Sequence, residues 1–308
     1  MTIKHTALPF TLMFFGALCG SCTNTQTTAT NMEKTIIPDS SWTCGMPDGI
    51  PKPENGVLVF EAQMNLDKVY EVGKTQYGLR KVFVVKDGTI TSDKIQASVI
   101  PGGLDFQLTL SNGIIEIEQV LVLLNKGKYA ARRTVNLREG TLKMIIYDVS
   151  EVVVDASNSV KISKPADVPY QSWDYRKASP SEKQGEQFIT ETVTLGGSTT
   201  VGISKRGMRN IIPITGGTLS GKISGKVLFG GADYQNFTSG PAIDARYLWQ
   251  ADDGEIIIVR NTGPMGSLVP TFEANVDGKY SWLNSGTYLS SNPGMGAGGV
   301  RLTMYKSN

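Results

Sequence analysis

The sequence predicts an all-β chain built from two tandem modules, the first smaller or incomplete. Short runs of β-branched and aromatic residues, such as residues 82–85, are separated by turns that contain glycine. A Gly-Gly-x-Asp-aromatic-Gln motif occurs twice, at residues 102–107 and 230–235, and the strands that follow keep the same offset of 128 residues (230 − 102 and 243 − 115). The length of 308 residues suits two domains of ordinary size, as a duplication requires.

The two copies differ by one gap. After the shared strand, residues 125–129 resemble residues 284–288, so the offset rises from 128 to 159 (284 − 125), a difference of 31 residues. The segment that copy one lacks corresponds to residues 253–283 and holds two strand candidates, 255–259 and 272–276. We therefore expect the second copy to be complete and the first to be open or smaller.

The N-terminus has the pattern of an export signal. A basic start precedes an apolar stretch, residues 7–18, that is shorter than the roughly 20 residues needed to span a bilayer. Small residues stand directly before Cys22, as in bacterial lipoprotein signals, and residues 23–31 form a polar tether. We expect a lipid on Cys22 and attachment to the cell envelope, periplasmic or at the outer membrane, with simple secretion as the alternative.

Composition shifts along the chain give the domain boundaries. Proline, glycine and aspartate cluster before the first module, and a polar, proline-containing stretch separates the two modules. The predicted units are a signal peptide at 1–22, a tether and Pro/Gly-rich segment at 23–56, a shortened module at 57–152, an interdomain connection at 153–185 and a complete module at 186–308.

Composition also excludes several kinds of site. The one histidine, His5, lies in the predicted signal, which excludes a Ser-His-Asp triad, a Cys-His pair and a histidine-ligated metal in the mature chain. Cys44 is the one cysteine after Cys22, which leaves no pair for an intrachain disulfide. The net charge of +2 indicates no nucleic-acid partner. We therefore expect neither a metal nor a cofactor.

The second copy carries a series of short motifs in a fixed order. They are Gly-Gly-x-Asp-aromatic at 230–234, Asp-x-Arg-Tyr at 244–247, Asp-Asp-Gly at 252–254, Asn-Thr-Gly at 261–263, Pro-Thr-Phe-Glu at 270–273 and Tyr-Ser-Trp-Leu-Asn at 280–284. As a set they resemble the domain of unknown function 3237 family, over residues 186–308 in full and about 57–150 in shortened form. The resemblance implies two antiparallel β-barrels of the calycin or allene-oxide-cyclase type, each with a pocket at its mouth. It implies no particular activity.

Candidate site residues follow from the strand after the second Gly-Gly motif. Alternate residues of a strand share a face, so Asp244 and Arg246 lie opposite the natural core face and either meet solvent or line a polar patch in the lumen. Paired, they would hold a guanidinium ready for a carboxylate, phenolate or enolate oxygen. Asp233 would serve as an acid or base if desolvated. The further ligand-binding candidates are Tyr234, Trp249, Trp282 and Asn284, although aromatic residues in small barrels also serve as core.

The preferred function is binding of a small, partly apolar molecule in the second barrel. A first alternative is a metal-free and cofactor-free isomerase, cyclase or lyase, in which Asp233 or Asp244 moves a proton and Arg246 stabilises an oxyanion. A second is a structural or interaction module of the cell surface. Binding and catalysis both require Asp244 and Arg246 to face a cavity. The expected partners are a small-molecule ligand and, through the lipid on Cys22, the membrane.

Overall fold

A computed structural model describes residues 50–51, 53–93, 95–109, 115–118, 129–153, 159–160, 178–204, 207–237 and 240–308. The predicted signal peptide, Cys22 and Cys44 lie outside these residues. The described chain consists of antiparallel strands with two short 3₁₀ helices, Pro53–Asn55 and Ser281–Asn284, which confirms the all-β prediction. In this part of the chain, no helix has the length and apolarity needed to cross a bilayer.

The first module is a seven-stranded sheet. Its strands and a separate two-stranded ribbon are, in chain order, β1 (Ile50–Pro51), β2 (Val57–Thr75), β3 (Gly78–Thr91), β4 (Ala97–Val99), β5 (Leu104–Thr109), β6 (Ile115–Glu118), β7 (Tyr129–Asn136), β8 (Thr141–Asp148) and β9 (Ser159–Val160). The sheet order is β6-β5-β3-β2-β8-β7 with β4 on β3, while β1 pairs with β9. Over the described residues, β6 and β7 end the sheet without pairing with each other.

The second module has eleven strands and closes on itself. They are β10 (Gln184–Leu195), β11 (Thr199–Ser204), β12 (Gly207–Gly221), β13 (Gly225–Val227), β14 (Ala232–Asn236), β15 (Ala242–Ala251), β16 (Ile256–Pro264), β17 (Val269–Glu273), β18 (Tyr288–Ser290), β19 (Gly294–Gly296) and β20 (Gly299–Ser307). The order runs from β17 through β16, β15, β13, β12, β10 and β20 to β18. A bridge between Leu268 and Ser290 joins the two ends.

The segment absent from copy one explains why the first module is smaller. β16, β17 and the second 3₁₀ helix all lie in it, and in the second module these elements complete the wall between β15 and β18. In the first module the corresponding neighbours, β6 and β7, are the two ends of the sheet. The prediction of two tandem modules, the first smaller or incomplete, is confirmed.

The two modules pack against each other along the outer face of the second barrel. Val82 and Phe106 of the first module form one buried apolar cluster with Leu248 and Ile258 of the second. Beside it, the buried side chain of Arg80 donates two hydrogen bonds to Glu273, at 2.9 and 2.5 Å. The strand faces that meet here are therefore turned away from the lumen of the second barrel.

The two Gly-Gly turns also meet at this contact. The backbone N–H of Gly231 donates to the carbonyl oxygen of Gly102 at 2.7 Å. Both glycines have positive φ angles, +82° and +94°, and a Cβ on Gly231 would clash with the carbonyl oxygen of Arg246. Glycine is therefore required at Gly231 both by its backbone conformation and by the close approach of the neighbouring strand.

Candidate functional site

The lumen of the second barrel is closed at one end and accessible at the other. At the closed end the rings of Phe188, Phe272, Trp282 and Tyr288 pack at centroid distances of 5.1 to 6.3 Å. At the other end five lumen-facing residues keep partial exposure to solvent. They are Asn210, Ile212, Asp233, Gln235 and Ile243. We call this accessible end the mouth.

Glu191 lies in the middle of the lumen, fully buried on β10. Its carboxyl group accepts hydrogen bonds from the hydroxyl of Tyr247 at 2.5 Å and from the indole N–H of Trp249 at 2.8 Å. Burial raises the pKa of Glu191 to about 7, although both hydrogen bonds act to lower it. Burial, followed by the charge of Glu191, holds the pKa of Tyr247 well above its usual value. This carboxyl group therefore changes charge near neutral pH.

The first module has no carboxyl group at the matching position. Ala62 lies 129 residues earlier (191 − 62), the offset that also relates β3 to β12 (209 − 80), and it pairs with the corresponding strands. Ala62 is fully buried in an apolar cluster. The carboxyl group in the lumen is thus a property of the second barrel.

A row of three residues crosses the mouth on the lumen face of β14, β15 and β16. Asp233 lies directly opposite Ala245, which lies directly opposite Asn261. Asn261 is 1% exposed and donates to the hydroxyl of Ser290 at 3.1 Å, but its side-chain oxygen has no hydrogen-bond partner. A buried acceptor without a partner is costly, which makes this oxygen a candidate polar contact. Ala245, which lies between Asp233 and Asn261 in this row, carries only a methyl group.

Asp233 provides the acidic group of the mouth. Burial raises the pKa of its carboxyl group to about 7, against the effect of hydrogen bonds from the backbone N–H of Asp244 and the Gln235 side chain. Among the residues that the structure describes, no lysine or arginine lies within ion-pair distance of Asp233. Arg209 acts on it from farther away and lowers the pKa slightly. The mouth therefore holds a carboxyl group that is ready to gain or lose a proton.

The equivalent carboxylate of the first module is neutralised internally. Asp105 accepts two hydrogen bonds from the guanidinium of Arg133, each 2.9 Å long. Both side chains are 3% exposed, and the guanidinium lies 5.3 Å from the centre of the Phe83 ring. The two copies of the Gly-Gly-x-Asp motif thus differ: the first binds an arginine of its own module, and the second faces an accessible lumen.

Asp244 and Arg246 lie on the opposite face of β15, outside the lumen. Arg246 donates two hydrogen bonds to the Asp244 carboxylate, each 3.1 Å long, and Arg260 approaches the same carboxylate to 3.5 Å. They share this face with Leu248, which packs against the first module, and both are buried. The expectation of either a solvent-facing pair or a lumen patch therefore gives way to a buried pair on the outer wall. The requirement that Asp244 and Arg246 face a cavity is not met, so a ligand or substrate in the lumen has to be bound by other residues. The hydrogen-bonding pair itself is as expected.

The other predicted ligand-binding residues take different places. Tyr234 lies on the outer face in a cluster with Ile100 of the first module. Trp249 lies in the lumen and donates to Glu191, and Trp282 packs edge-on against a ring at the closed end. Asn284 clamps the backbone of Ala274, accepting from its N–H at 2.8 Å and donating to its carbonyl at 2.9 Å. Only Trp249 among these four contacts the central carboxyl group.

Three residues of the lumen were missed from the sequence as site residues: Glu191, Tyr247 and Asn261. Glu191 alternates with Ile189 and Val193 along its strand. This pattern could have identified it, because a carboxylate that alternates with aliphatic residues lies on the core face of a strand. Tyr247 was assigned to the core face without a role. Asn261 gave no comparable signal, because its motif, Asn-Thr-Gly, is typical of a turn. Among the described residues, no three or more His, Cys, Asp or Glu side chains gather as metal ligands.

Comparisons with known proteins agree with the duplicated architecture. A family model described as "Protein of unknown function (DUF3237)" matches residues 55–129 and 184–267, together more than half of the chain. A UPF0311 protein of Bradyrhizobium diazoefficiens is 34% identical over 127 residues, which make up 33% of this chain and 83% of that protein.

Two solved structures each cover less than half of this chain. A conserved protein of unknown function from Rhodopseudomonas palustris is 28% identical and covers 42% of this chain and 100% of its own, with a TM-score of 0.37. A β-barrel-like protein from Acinetobacter baumannii is 30% identical, with coverage of 43% and 100% and a TM-score of 0.36. Since the family model matches both halves of the chain, this protein belongs to the DUF3237 family and carries its module twice.

Proposed function

We propose that the second barrel binds a small, partly apolar molecule at its mouth, between Asp233 and Asn261. The observation that carries this proposal is the buried side-chain oxygen of Asn261, which has no hydrogen-bond partner and belongs to a residue in the same lumen-facing row as Asp233. Ile212 and Ile243 supply apolar surface beside these polar groups. A few converging polar groups on an apolar wall are typical of small-molecule sites.

The test uses a library of small molecules and the melting temperature of the protein. Compounds that stabilise the native protein should lose their effect on the Asn261→Leu variant, which removes the acceptor and fills the space with an apolar side chain. Because an unpaired buried acceptor is costly, this substitution should not lower the melting temperature of the unliganded protein. If the same compounds stabilise Asn261→Leu as strongly as the native protein, this site is wrong.

Asn284 supplies the matched control, because it is an asparagine of the same barrel with both polar atoms paired to the backbone. The Asn284→Ala variant should melt at a lower temperature and keep the full ligand-induced shift. A library in which no compound stabilises the native protein would instead favour a structural or interaction module.

A second candidate function is proton transfer without a metal or cofactor, as in an isomerase, cyclase or lyase. The pKa of Asp233 near 7, at the accessible end of the lumen, favours this chemistry because a general acid or base works best near its own pKa. Arg246 has no part in it, since it lies on the outer wall. Bound compounds should exchange carbon-attached protons in D₂O, and Asp233→Asn should abolish the exchange. Binding without any exchange would leave the protein as a binder.

The proposed setting is the bacterial cell envelope, with the protein exported and anchored by a lipid on Cys22. The support is the apolar stretch 7–18 followed by small residues directly before Cys22. In cells fed labelled palmitate, the protein should take up label and partition into detergent, and Cys22→Ala should do neither. Label-free protein in the culture medium would indicate secretion instead.

A further inference from the structure

We propose that the mouth of the second barrel accepts a cationic nitrogen group, such as an amidinium, a guanidinium or a protonated amine, with Asp233 as its counter-ion. This inference rests on the proposed binding function and names the chemical class of the ligand. Its starting point is the difference between the two copies of the Gly-Gly-x-Asp motif.

The first module shows what its carboxylate binds. The guanidinium of Arg133 forms a bidentate pair with Asp105 and lies over the ring of Phe83, inside the module. A planar guanidinium matches a carboxylate in this geometry better than any other side chain does. The second module keeps the carboxylate as Asp233, with Ile212 at the position of Phe83 (212 − 83 = 129). Among the described residues, no lysine or arginine forms an ion pair with this carboxylate. A ligand cation would occupy the place that Arg133 takes in copy one.

Two groups in the row across the mouth are acceptors, which favours a donor-only ligand group. The free atom of Asn261 is an acceptor, and when ionised the Asp233 carboxylate is acceptor-only as well. The two residues stand two strand spacings apart on the same face of the wall, about 10 Å between backbones. An amidinium or guanidinium carries several N–H donors and no acceptor, which suits two acceptors on either side.

Proton release follows from this arrangement. Two charged groups act on the Asp233 carboxyl group: Asp244 of β15 raises its pKa, and Arg209 of β12 lowers it. The hydroxyl of Tyr247 on β15 also interacts with Asp233 and in turn donates a hydrogen bond to Glu191. Burial dominates and keeps much of the Asp233 population protonated at neutral pH. Since a cation binds the ionised carboxylate, binding below pH 7 releases a proton, and affinity rises with pH until the free carboxyl group is ionised.

The experiment compares three probes of similar shape: benzamidine, which is cationic, benzamide, which is neutral, and benzoate, which is anionic. At pH 8, benzamidine should bind about tenfold or more tightly than benzamide, the scale of a charge-assisted pair. Asp233→Asn should remove this preference, whereas Asp253→Asn, at the other end of the barrel, should keep it. Calorimetry at pH 6 in buffers of different ionisation enthalpy should show uptake of a proton by the buffer on binding, and this measurement needs no variant.

Three outcomes would overturn the inference. Equal or tighter binding of benzamide or benzoate would reject the cation and leave the proposed binding site in place. Benzamidine binding without proton release at pH 6, or with its preference intact in Asp233→Asn, would assign the cation to another residue. No binding of any probe at millimolar concentration would also reject it, and the library screen on Asn261→Leu then decides separately whether the site itself stands.

Discussion

Replacement of Glu191 by glutamine should remove a large part of the pH dependence of stability. The carboxyl group is fully buried, and its pKa is raised to about 7 from the ordinary 4.5. A group whose pKa is raised by folding stabilises the folded state fully below its unfolded pKa, and that contribution is lost as the pH rises toward the folded pKa. The native protein should therefore become less stable between pH 5 and pH 8.

The magnitude follows from the two pKa values. The difference between about 7 and 4.5, at about 1.4 kcal/mol for each pH unit, corresponds to about 3–4 kcal/mol of the free energy of unfolding over the full range, of which about 2–3 kcal/mol falls between pH 5 and pH 8. Glutamine mimics the protonated acid, because its oxygen accepts from the Trp249 indole while its amide donates to the oxygen of Tyr247. Asp233, whose pKa is also raised to about 7, contributes in the same direction and remains in the variant.

Urea unfolding at pH 5 and pH 8, followed by intrinsic fluorescence, measures the effect. The loss of stability between pH 5 and pH 8 should be smaller in Glu191→Gln than in the native protein by about 2–3 kcal/mol. Glu186→Gln is the control, because Glu186 is exposed and its hydrogen bond with Lys222 lowers its pKa. An unchanged pH dependence in Glu191→Gln, or a native protein that gains stability toward pH 8, would refute the reasoning.

Three further predictions test the scaffold. Arg133→Ala leaves the buried Asp105 carboxylate without its guanidinium and should lower the free energy of unfolding, measured in urea, by about 3–5 kcal/mol. Millimolar ethylguanidinium should partly restore the melting temperature of this variant. No recovery would argue against a guanidinium-shaped space. Arg80→Ala should destabilise the module contact by a similar amount, whereas the double replacement Arg80→Met with Glu273→Leu should cost less, as both charges are then gone. Gly231→Ala should lower the melting temperature more than Gly254→Ala does, because both have positive φ but Gly254 has open space around it; equal losses would contradict the proposed close approach.

The fold could be predicted further than the site. Two offsets in the sequence, 128 and 159 residues, were enough to predict the duplication and the missing segment, and β16 and β17 lie in that segment as expected. Strand alternation also separated Asp244 and Arg246 from the face of Tyr247. Strand alternation could not show that the outer face is also buried, because that burial comes from packing against the first module.

The site depends on long-range pairing that local patterns do not contain. Glu191 and Tyr247 are 56 residues apart along the chain, and their hydrogen bond exists because β10 and β15 face one another across the lumen. The free acceptor of Asn261 is likewise a consequence of three-dimensional packing, since a turn-like Asn-Thr-Gly motif does not specify whether its asparagine is buried. The contrast between Asp105 and Asp233 also needs the structure, because Arg133 reaches Asp105 from a distant strand.

The claim that the mouth of the second barrel is a binding site is tested most directly by a crystallographic fragment screen of the whole protein. The account predicts fragments bound within hydrogen-bond distance of the Asn261 side-chain oxygen and the Asp233 carboxyl group, and none beside the paired Asp105. Fragments that settle on the outer wall near Asp244 and Arg246, or in the first module, while the mouth stays empty would contradict it.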